Sequence, residues 1–157
     1  QNLNKNYLNQ KSLRERSAAF PLEIPYRLIN MFSIYGDIIL DPFWGTGTTS
    51  LAAMSTTRNS IGYELNPEFM KIFKENIKKI IQFNFDMNNN RLKNHVNFIN
   101  KYRKRVKDIK YKSIHYEFPV VTKQEMNILL YSIKNYNENR KEFIVNYEKF
   151  QFKVNRF

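Results

Sequence analysis

The chain has 157 residues, enough for one domain, and its 42% hydrophobic content, with 13 Phe and 10 Tyr, predicts a packed core and excludes wholesale disorder. The absence of cysteine excludes disulfides, thiolate metal ligands and a cysteine nucleophile, and we predict no metal site. No apolar run reaches the ~18–20 residues of a membrane span and the N-terminus lacks a signal-peptide pattern, so we expect a cytoplasmic protein without membrane contact.

The net charge of +12 lies entirely in the second half of the chain. Residues 1–70 carry six basic and six acidic residues, whereas residues 71–157 carry the other 20 basic and eight acidic ones. A neutral half followed by a basic half indicates a small-ligand site beside a surface for a polyanion. General solubility explains the same excess about as well.

The first half of the chain alternates helical and strand patterns after a polar linker or arm at residues 1–12. The apolar spacing predicts, in order, a helix within 20–32, a strand at 36–41 buried on both faces, a short helix at 48–55, a strand at 59–64 and a helix at 66–81. The last helix has Asn66 at its N-cap and Pro67 in its first turn. This βαβα order predicts an α/β fold with a parallel sheet.

The second half has a looser pattern. We predict a turn at 86–90, a basic helix at 94–110 and a further helix at 123–136, so that residues 84–157 form a basic, mostly helical C-terminal extension. The preceding residues, 13–83, then form the ligand-binding subdomain.

The stretch DPFWGTGTT at 41–49 directly follows the first strand. A phosphate-binding Walker loop is excluded, because Thr48 stands where that loop needs lysine. A dinucleotide loop fits poorly, because the third glycine is absent and Asp41 would face an anionic pyrophosphate. S-adenosylmethionine is cationic and has no phosphate, so an acid beside two glycines suits it, and Glu64 at the next strand tip suits ribose hydroxyls. A tight turn without any ligand remains the structural alternative.

Residues 41–69, DPFWGTGTTSLAAMSTTRNSIGYELNPEF, resemble the cofactor-binding region of bacterial and archaeal DNA amino-methyltransferases, which modify cytosine N4 or adenine N6. Residues 14–33 resemble the motif that precedes this region in the family. The order of the two motifs is typical of the β arrangement, in which the catalytic motif and the target-recognition region come earlier in the chain. The resemblance implies a Rossmann-like methyltransferase fold, S-adenosyl-L-methionine as cofactor, and a prokaryotic, DNA-associated protein.

The resemblance also implies which residues bind the cofactor. The glycine loop would line the methionine and the ribose, and Glu64 would hold the ribose. The two residues that follow Glu64 would lie near the adenine, and residues of the motif at 14–33 would cap the methionine end. The implied set is Phe20, Pro21, Asp41, Pro42, Phe43, Trp44, Gly45, Thr46, Gly47, Thr48, Thr49, Glu64, Leu65 and Asn66. Core packing explains Phe20 and Trp44 at least as well as cofactor contact.

Amino-methylation in this family needs a polar-Pro-Pro-aromatic loop, which holds the amine of a base flipped out of the duplex. The five prolines here are never adjacent, so we predict that no catalytic residue lies in this chain and that another chain or segment supplies the loop and the target-recognition region. Residues 116–125, YEFPVVTKQE, resemble cytosine-N4 members and favour N4 over N6.

We predict that the basic tail contacts double-stranded DNA through Lys101, Arg103, Lys104 and Arg105. A solvated helix face explains each of these four residues equally well. Two other functions stay open for the chain: a non-catalytic nucleic-acid-binding module with a vestigial fold, and part of an RNA or protein methyltransferase.

Overall fold

The computed structural model describes residues 20–106 and 108–152. The predicted linker at 1–12 lies outside the described residues. The chain divides into two compact units, the first made of residues up to Ile81 together with Ile133–Tyr147, and the second of Gln82–Ser132 and Glu148 onward. The predicted subdomain limits, 13–83 and 84–157, remain predictions.

The first unit contains the α/β order predicted from the sequence. Its elements are α1 (Glu23–Phe32), β1 (Ile38–Asp41), α2 (Thr48–Ser55), β2 (Asn59–Gly62), α3 (Pro67–Ile77) and the start of α4 (Ile80–Tyr102). The strands β1 and β2 pair in parallel, so the α/β class with a parallel-sheet portion is confirmed. Asn66 caps α3 as predicted, since its side chain accepts the backbone N–H of Glu68.

The two faces of the β1–β2 pair are in different environments. On one face, Ser60 Oγ lies 2.9 Å from Ser50 Oγ of α2, so this face packs against the helix. On the other face, Ile38 and Leu40 are 66% and 61% exposed, and Ile61, which pairs with Leu40, is also exposed. The prediction of a strand buried on both faces is therefore wrong for the described residues, because the helix covers one side of the sheet only.

Arg58 fixes the C-terminal ends of α1 and α2 relative to each other. Its side chain is buried, its Nε donates to Ser33 Oγ at 3.0 Å, and its Nη1 donates to the carbonyl of Thr56. A cation at two helix C-termini interacts favourably with both helix dipoles. These bonds connect the end of α1 to the end of α2, the helix that begins at the glycine loop.

Two predictions for the second half of the chain are wrong. Residues 86–90 form no turn but lie inside α4, where Asn88 is buried and its side chain donates to the carbonyl of Tyr131. Residues 123–136 form no α-helix but a short 3-10 helix, Gln124–Asn127, followed by strand β5 (Tyr131–Asn139). Pairing with the next strand along the chain, β6 (Glu142–Lys149), decides the second case, because β-branched and aromatic residues fit a paired strand. The helical part of the extension is therefore largely α4, which includes the predicted basic helix as far as Tyr102.

The second unit has its own core. Strands β3 (Tyr111–Lys112) and β4 (Pro119–Val120) pair antiparallel beneath α4 residues of the same unit. The Tyr116 hydroxyl accepts the backbone N–H of Leu130 at 2.8 Å, which joins the two segments that precede and follow the 3-10 helix. The core residues are Leu92, Tyr116, Phe118, Val120, Leu130 and Phe150. Within the described ranges, no helix is both long and apolar enough to cross a membrane.

Candidate functional site

The glycine loop and the end of β2 lie side by side because β1 and β2 are parallel and in register, with Asp41 opposite Gly62. Past the last paired residues, the N–H of Tyr63 donates to the carbonyl of Asp41, and the N–H of Trp44 donates to the carbonyl of Tyr63, both at 3.0 Å. These bonds bring the loop that follows β1 against the segment that follows β2. Sites in parallel α/β sheets form at this carboxyl edge.

Glu64 connects the loop to the beginning of α3. Its Oε2 accepts the N–H of Gly45 at 2.9 Å, and its Oε1 accepts the N–H of Asn66 at 2.8 Å. The carboxylate is exposed, and each of its oxygens has a second lone pair available for a hydroxyl donor. The geometry is thus compatible with the predicted bidentate grip on a diol, while the same carboxylate also fixes the loop.

The two loop glycines have different surroundings, although both have positive φ, 52° at Gly45 and 75° at Gly47. A Cβ built on Gly45 would meet nothing nearer than the Phe43 carbonyl at 3.9 Å, so the space above this residue is open. A Cβ on Gly47 would overlap the Phe73 ring and lie 2.8 Å from Trp44 Cζ2. The absence of a side chain at Gly45 therefore leaves space that a ligand can occupy, whereas at Gly47 it leaves space for the core side chains Phe73 and Trp44.

Trp44 lies under the loop as part of the core. The side chain is 9% exposed, its ring centroid is 4.7 Å from that of Phe73, and its Nε1 donates to Ser50 Oγ at 2.8 Å. A Cβ on Gly62 would overlap the indole, so this strand glycine is required for the tryptophan to lie on the sheet. Sequence reasoning missed Gly62, for which the available signal was a glycine inside a strand. Cofactor contact by Trp44 remains a prediction.

The other predicted cofactor residues are mostly at the surface. Asp41 accepts the N–H of Phe43 through Oδ1 at 3.1 Å, and Phe43 itself is 90% exposed. Leu65 is fully exposed, whereas Thr46 is buried with its hydroxyl 3.2 Å from that of Thr48. Beyond these, Phe20 and Pro21 lie exposed where α1 begins, Pro42 is exposed in the loop, and Thr49 is partly buried in the first turn of α2.

An open groove of ≈ 1240 Å³ runs beside β2 within the first unit. It is lined by Trp44 and by the predicted residues Glu64, Leu65 and Asn66. The groove is also lined by residues of the β5–β6 hairpin, from Arg140 to Val145 and Tyr147, which sequence reasoning did not place at the site. The signal for a strand there was the β-branched and aromatic residues of EFIVNY, 142–147.

The hairpin is attached to the helices of the first unit by three contacts. Phe143 packs edge-on against Phe73 with ring centroids 5.0 Å apart, and Lys74 forms an ion pair with Glu138. The Tyr147 hydroxyl donates to the carbonyl of Met54 at 2.8 Å, and burial raises the pKa of Tyr147 to about 12. The hairpin is thus a fixed wall of the groove.

The predicted DNA-contacting residues Lys101, Arg103, Lys104 and Arg105 are all exposed where α4 ends. Cations at this position also interact favourably with the helix dipole, so their placement is compatible with a purely structural role. Nearby, the ring of Phe98 stacks on that of Tyr102 with centroids 5.6 Å apart. Across the ranges 20–106 and 108–152, no group of three His, Asp or Glu side chains is arranged to hold a metal ion.

Residues 1–75 match the N6/N4 family model described as DNA methylase. The chain is 46% identical over 131 residues to the type II methyltransferase M.MthZI of Methanothermobacter thermautotrophicus, a match that covers 83% of this chain and 36% of that protein. It is 57% identical over 65 residues to the type II methyltransferase M.MjaI of Methanocaldococcus jannaschii, covering 41% of this chain and 22% of that protein. These matches confirm the resemblance of the motifs to DNA amino-methyltransferases.

A solved structure from Thermus thermophilus, described as a DNA modification methylase complexed with S-adenosyl-L-methionine, is 35% identical. The match covers 46% of this chain and 38% of that one, with a TM-score of 0.38. The matched part of the chain thus spans 36% of M.MthZI, 22% of M.MjaI and 38% of the solved methylase.

Proposed function

We propose that this chain is the S-adenosyl-L-methionine-binding part of a site-specific DNA methyltransferase of a prokaryotic, cytoplasmic restriction–modification system. The observation that carries the proposal is the Glu64 carboxylate, held by the N–H groups of Gly45 and Asn66 at the carboxyl edge of a parallel strand pair. This arrangement places an acid beside an open stretch of backbone. A cationic ligand with a diol fits such a site better than a phosphate does.

The residues at this edge fit the cofactor. Space above Gly45 allows the ligand to approach the backbone closely, and the free lone pairs of Glu64 can accept two ribose hydroxyls. The carboxylate of Asp41 follows β1 directly and adds negative charge near a sulfonium. When bound, the cofactor supplies an activated methyl group, and the residues of this chain hold and orient it.

The reaction centre of the enzyme belongs to another segment in this proposal. Transfer to an exocyclic amine requires the target base to be flipped out of the duplex and its amine held by hydrogen-bond acceptors. In the family that the chain resembles, a polar-Pro-Pro-aromatic loop does this, and the prolines of this chain are never adjacent. We favour cytosine N4 over adenine N6 because residues 116–125 resemble cytosine-N4 members.

The exposed face of the β1–β2 pair is an argument for a further segment that covers it. Ile38, Leu40 and Ile61 point to this face, and Tyr63, which continues it, is 64% exposed. Parallel strands are ordinarily covered on both sides, so this apolar face suits the rest of the methyltransferase. The chain spans 36% of its relative M.MthZI, which leaves ample sequence for that covering segment. In the β arrangement implied by the motifs, this segment precedes the glycine loop and also carries target recognition.

DNA contact through the end of α4 completes the proposal. Lys101, Arg103, Lys104 and Arg105 form an exposed basic cluster that suits sequence-independent contact with phosphates. A nucleic-acid-binding module without cofactor is the second candidate function, and the same basic cluster favours it. Cofactor binding separates the two candidates, and substrate tests separate DNA from RNA as the acceptor.

The test uses the purified chain with and without a complementary chain that carries a Pro-Pro-aromatic loop. Titration calorimetry of the chain alone should detect binding of S-adenosyl-L-methionine, while assays with labelled cofactor should detect no methyl transfer to DNA. Adding the complementary chain should restore transfer to an exocyclic amine. Robust methylation by the chain alone would contradict the placement of the catalytic centre, and failure to bind the cofactor under any condition would favour the second candidate.

A further inference from the structure

The β5–β6 hairpin lies outside the segment that matches the DNA methylase model, yet it lines the same groove as the residues that follow β2. Residues Phe143, Val145 and Tyr147 alternate along β6 and are partly buried, whereas Glu142, Ile144 and Asn146 are exposed. Inward residues anchor the hairpin through Phe73 and Met54. These packing contacts therefore fix the hairpin beside the groove without a bound ligand.

Three aromatic rings connect the glycine loop to this wall. The ring centroid of Phe73 lies 4.7 Å from that of Trp44 and 5.0 Å from that of Phe143. All three rings line the groove. The series extends from under the loop, where the ribose would be held, to the hairpin, so the groove continues past the ribose position into an aromatic and aliphatic region.

The lining of that region suits a flat heteroaromatic ring. Its apolar side chains include Met70 from α3 and Ile144 from β6, with Ile144 54% exposed. Leu65, which follows Glu64, is fully exposed on the same groove. A planar base inserted here would cover apolar surface that water now contacts, while backbone and amide groups near Asn66 could meet its polar edge.

We propose that the β5–β6 hairpin forms the outer wall of the adenine end of the cofactor site, with Ile144 contacting the base and Phe143, on the opposite face of β6, holding the wall against Phe73. This inference rests on the proposed cofactor. It assigns a ligand contact to this hairpin, which lies outside the residues matched by the DNA methylase model. The hairpin then contributes to cofactor specificity as well as to the fold of the first unit.

Two substitutions test the assignment against one matched control. Ile144→Ala removes exposed apolar surface from the groove, so the fold should survive, and Phe143→Leu keeps an apolar side chain but removes the ring that packs on Phe73. Asn146→Ala alters the exposed position two residues further along β6, which does not line the groove. Thermal unfolding of each variant checks that the hairpin remains folded.

Binding is measured by calorimetry with S-adenosyl-L-methionine and with 5′-methylthioadenosine, which keeps the adenine but lacks the amino-acid part. We expect both groove variants to bind both ligands about threefold to tenfold more weakly than the wild type, and Asn146→Ala to bind them normally. Groove variants with wild-type affinity for both ligands overturn the hairpin assignment. A wild-type chain that binds neither ligand contradicts the proposed function instead, so the two failures are distinguishable.

Photolabelling gives an independent result if a groove variant fails to fold. A cofactor analogue with an azido group on the adenine is irradiated with the wild-type chain, and the labelled peptide is identified by mass spectrometry. We expect label within residues 140–147, which competing S-adenosyl-L-methionine abolishes. Competed label confined to the motif residues before α3 overturns the proposal.

Discussion

Replacing Glu64 with Gln tests the centre of the proposed site with the smallest change of shape. The carboxylate accepts the N–H of Gly45 through one oxygen and that of Asn66 through the other. The amide of Gln offers one acceptor oxygen and one donor NH₂, so one of the two N–H groups loses its partner. The ribose hydroxyls likewise lose a charged acceptor.

The expected loss follows from these bonds. A hydrogen bond to a charged group contributes about 1.5–3 kcal/mol, and the exposure of Glu64 favours the lower end of this range. Because about 1.4 kcal/mol corresponds to tenfold in affinity, cofactor binding should weaken by about tenfold or more. Loss of the bond that holds the loop should lower the free energy of unfolding by only about 1 kcal/mol.

Glu68→Gln is the matched control. Glu68 also carries a carboxylate in the first turn of α3, where it pairs with Lys71 at 2.7 Å and does not bond to the loop. Both substitutions remove a negative charge from the same helix N-terminus, a position worth about 0.3–1 kcal/mol. Calorimetry, together with the fluorescence of the single tryptophan, Trp44, should show normal binding by this control.

A thermodynamic cycle separates the ribose role of Glu64 from its role in holding the loop. The wild type and Glu64→Gln are each titrated with the cofactor and with an analogue that lacks the ribose hydroxyls. If Glu64 binds the ribose, the wild type should lose affinity for the analogue, and the variant should lose little more. Additive losses would show that Glu64 only positions the loop, and unchanged affinity of Glu64→Gln for the natural cofactor would refute the site assignment.

Three further outcomes follow from the structure. Gly45→Val should block cofactor binding and lower the free energy of unfolding by about 1–2 kcal/mol, because residue 45 has a positive φ. Gly47→Val should prevent folding, as measured by circular dichroism, because its side chain would overlap the core. Normal cofactor binding by Gly45→Val would contradict the loop assignment. Charge reversal at residues 103–105 should weaken the affinity for all DNA sequences equally and make that affinity depend less steeply on salt concentration, as measured by fluorescence anisotropy. A loss of affinity that depends on the DNA sequence would instead indicate that these residues contact bases. Tyr147→Phe should lower the free energy of unfolding by about 1 kcal/mol near neutral pH, because the bond to Met54 is lost. The pKa of Tyr147 in the folded protein is raised to about 12, so the stabilising effect of its hydroxyl is fully present below pH ~10 and is lost as pH rises through about 12. The free energies of unfolding of the wild type and the variant, measured in urea, should therefore converge over that range. A constant difference between them would contradict the burial of the hydroxyl.

The sequence by itself determined the elements whose signals are local. The acid and glycines at 41–47 predict a turn that closes within a few residues, and α2 begins at the predicted Thr48. Asn66 and Pro67 predict the start of α3 for the same reason, because an N-cap bond joins neighbouring residues. The motifs of this stretch also indicated the resemblance to DNA amino-methyltransferases, which the family match and the relatives confirm.

Tertiary structure decided the features that depend on distant partners. Asn88 remains helical because its amide reaches a carbonyl 43 residues away, although an Asn-rich run alone predicts a turn. Residues 131–136 form a strand because β6, a partner outside this segment that follows it in a hairpin, pairs with them. Gly62 is needed only because Trp44 lies across it, and the exposure of Leu40 reflects a sheet covered on one side. The place of Phe143 beside the groove likewise depends on its packing against Phe73, and the residues around Phe143 carry no local signal for that distant contact.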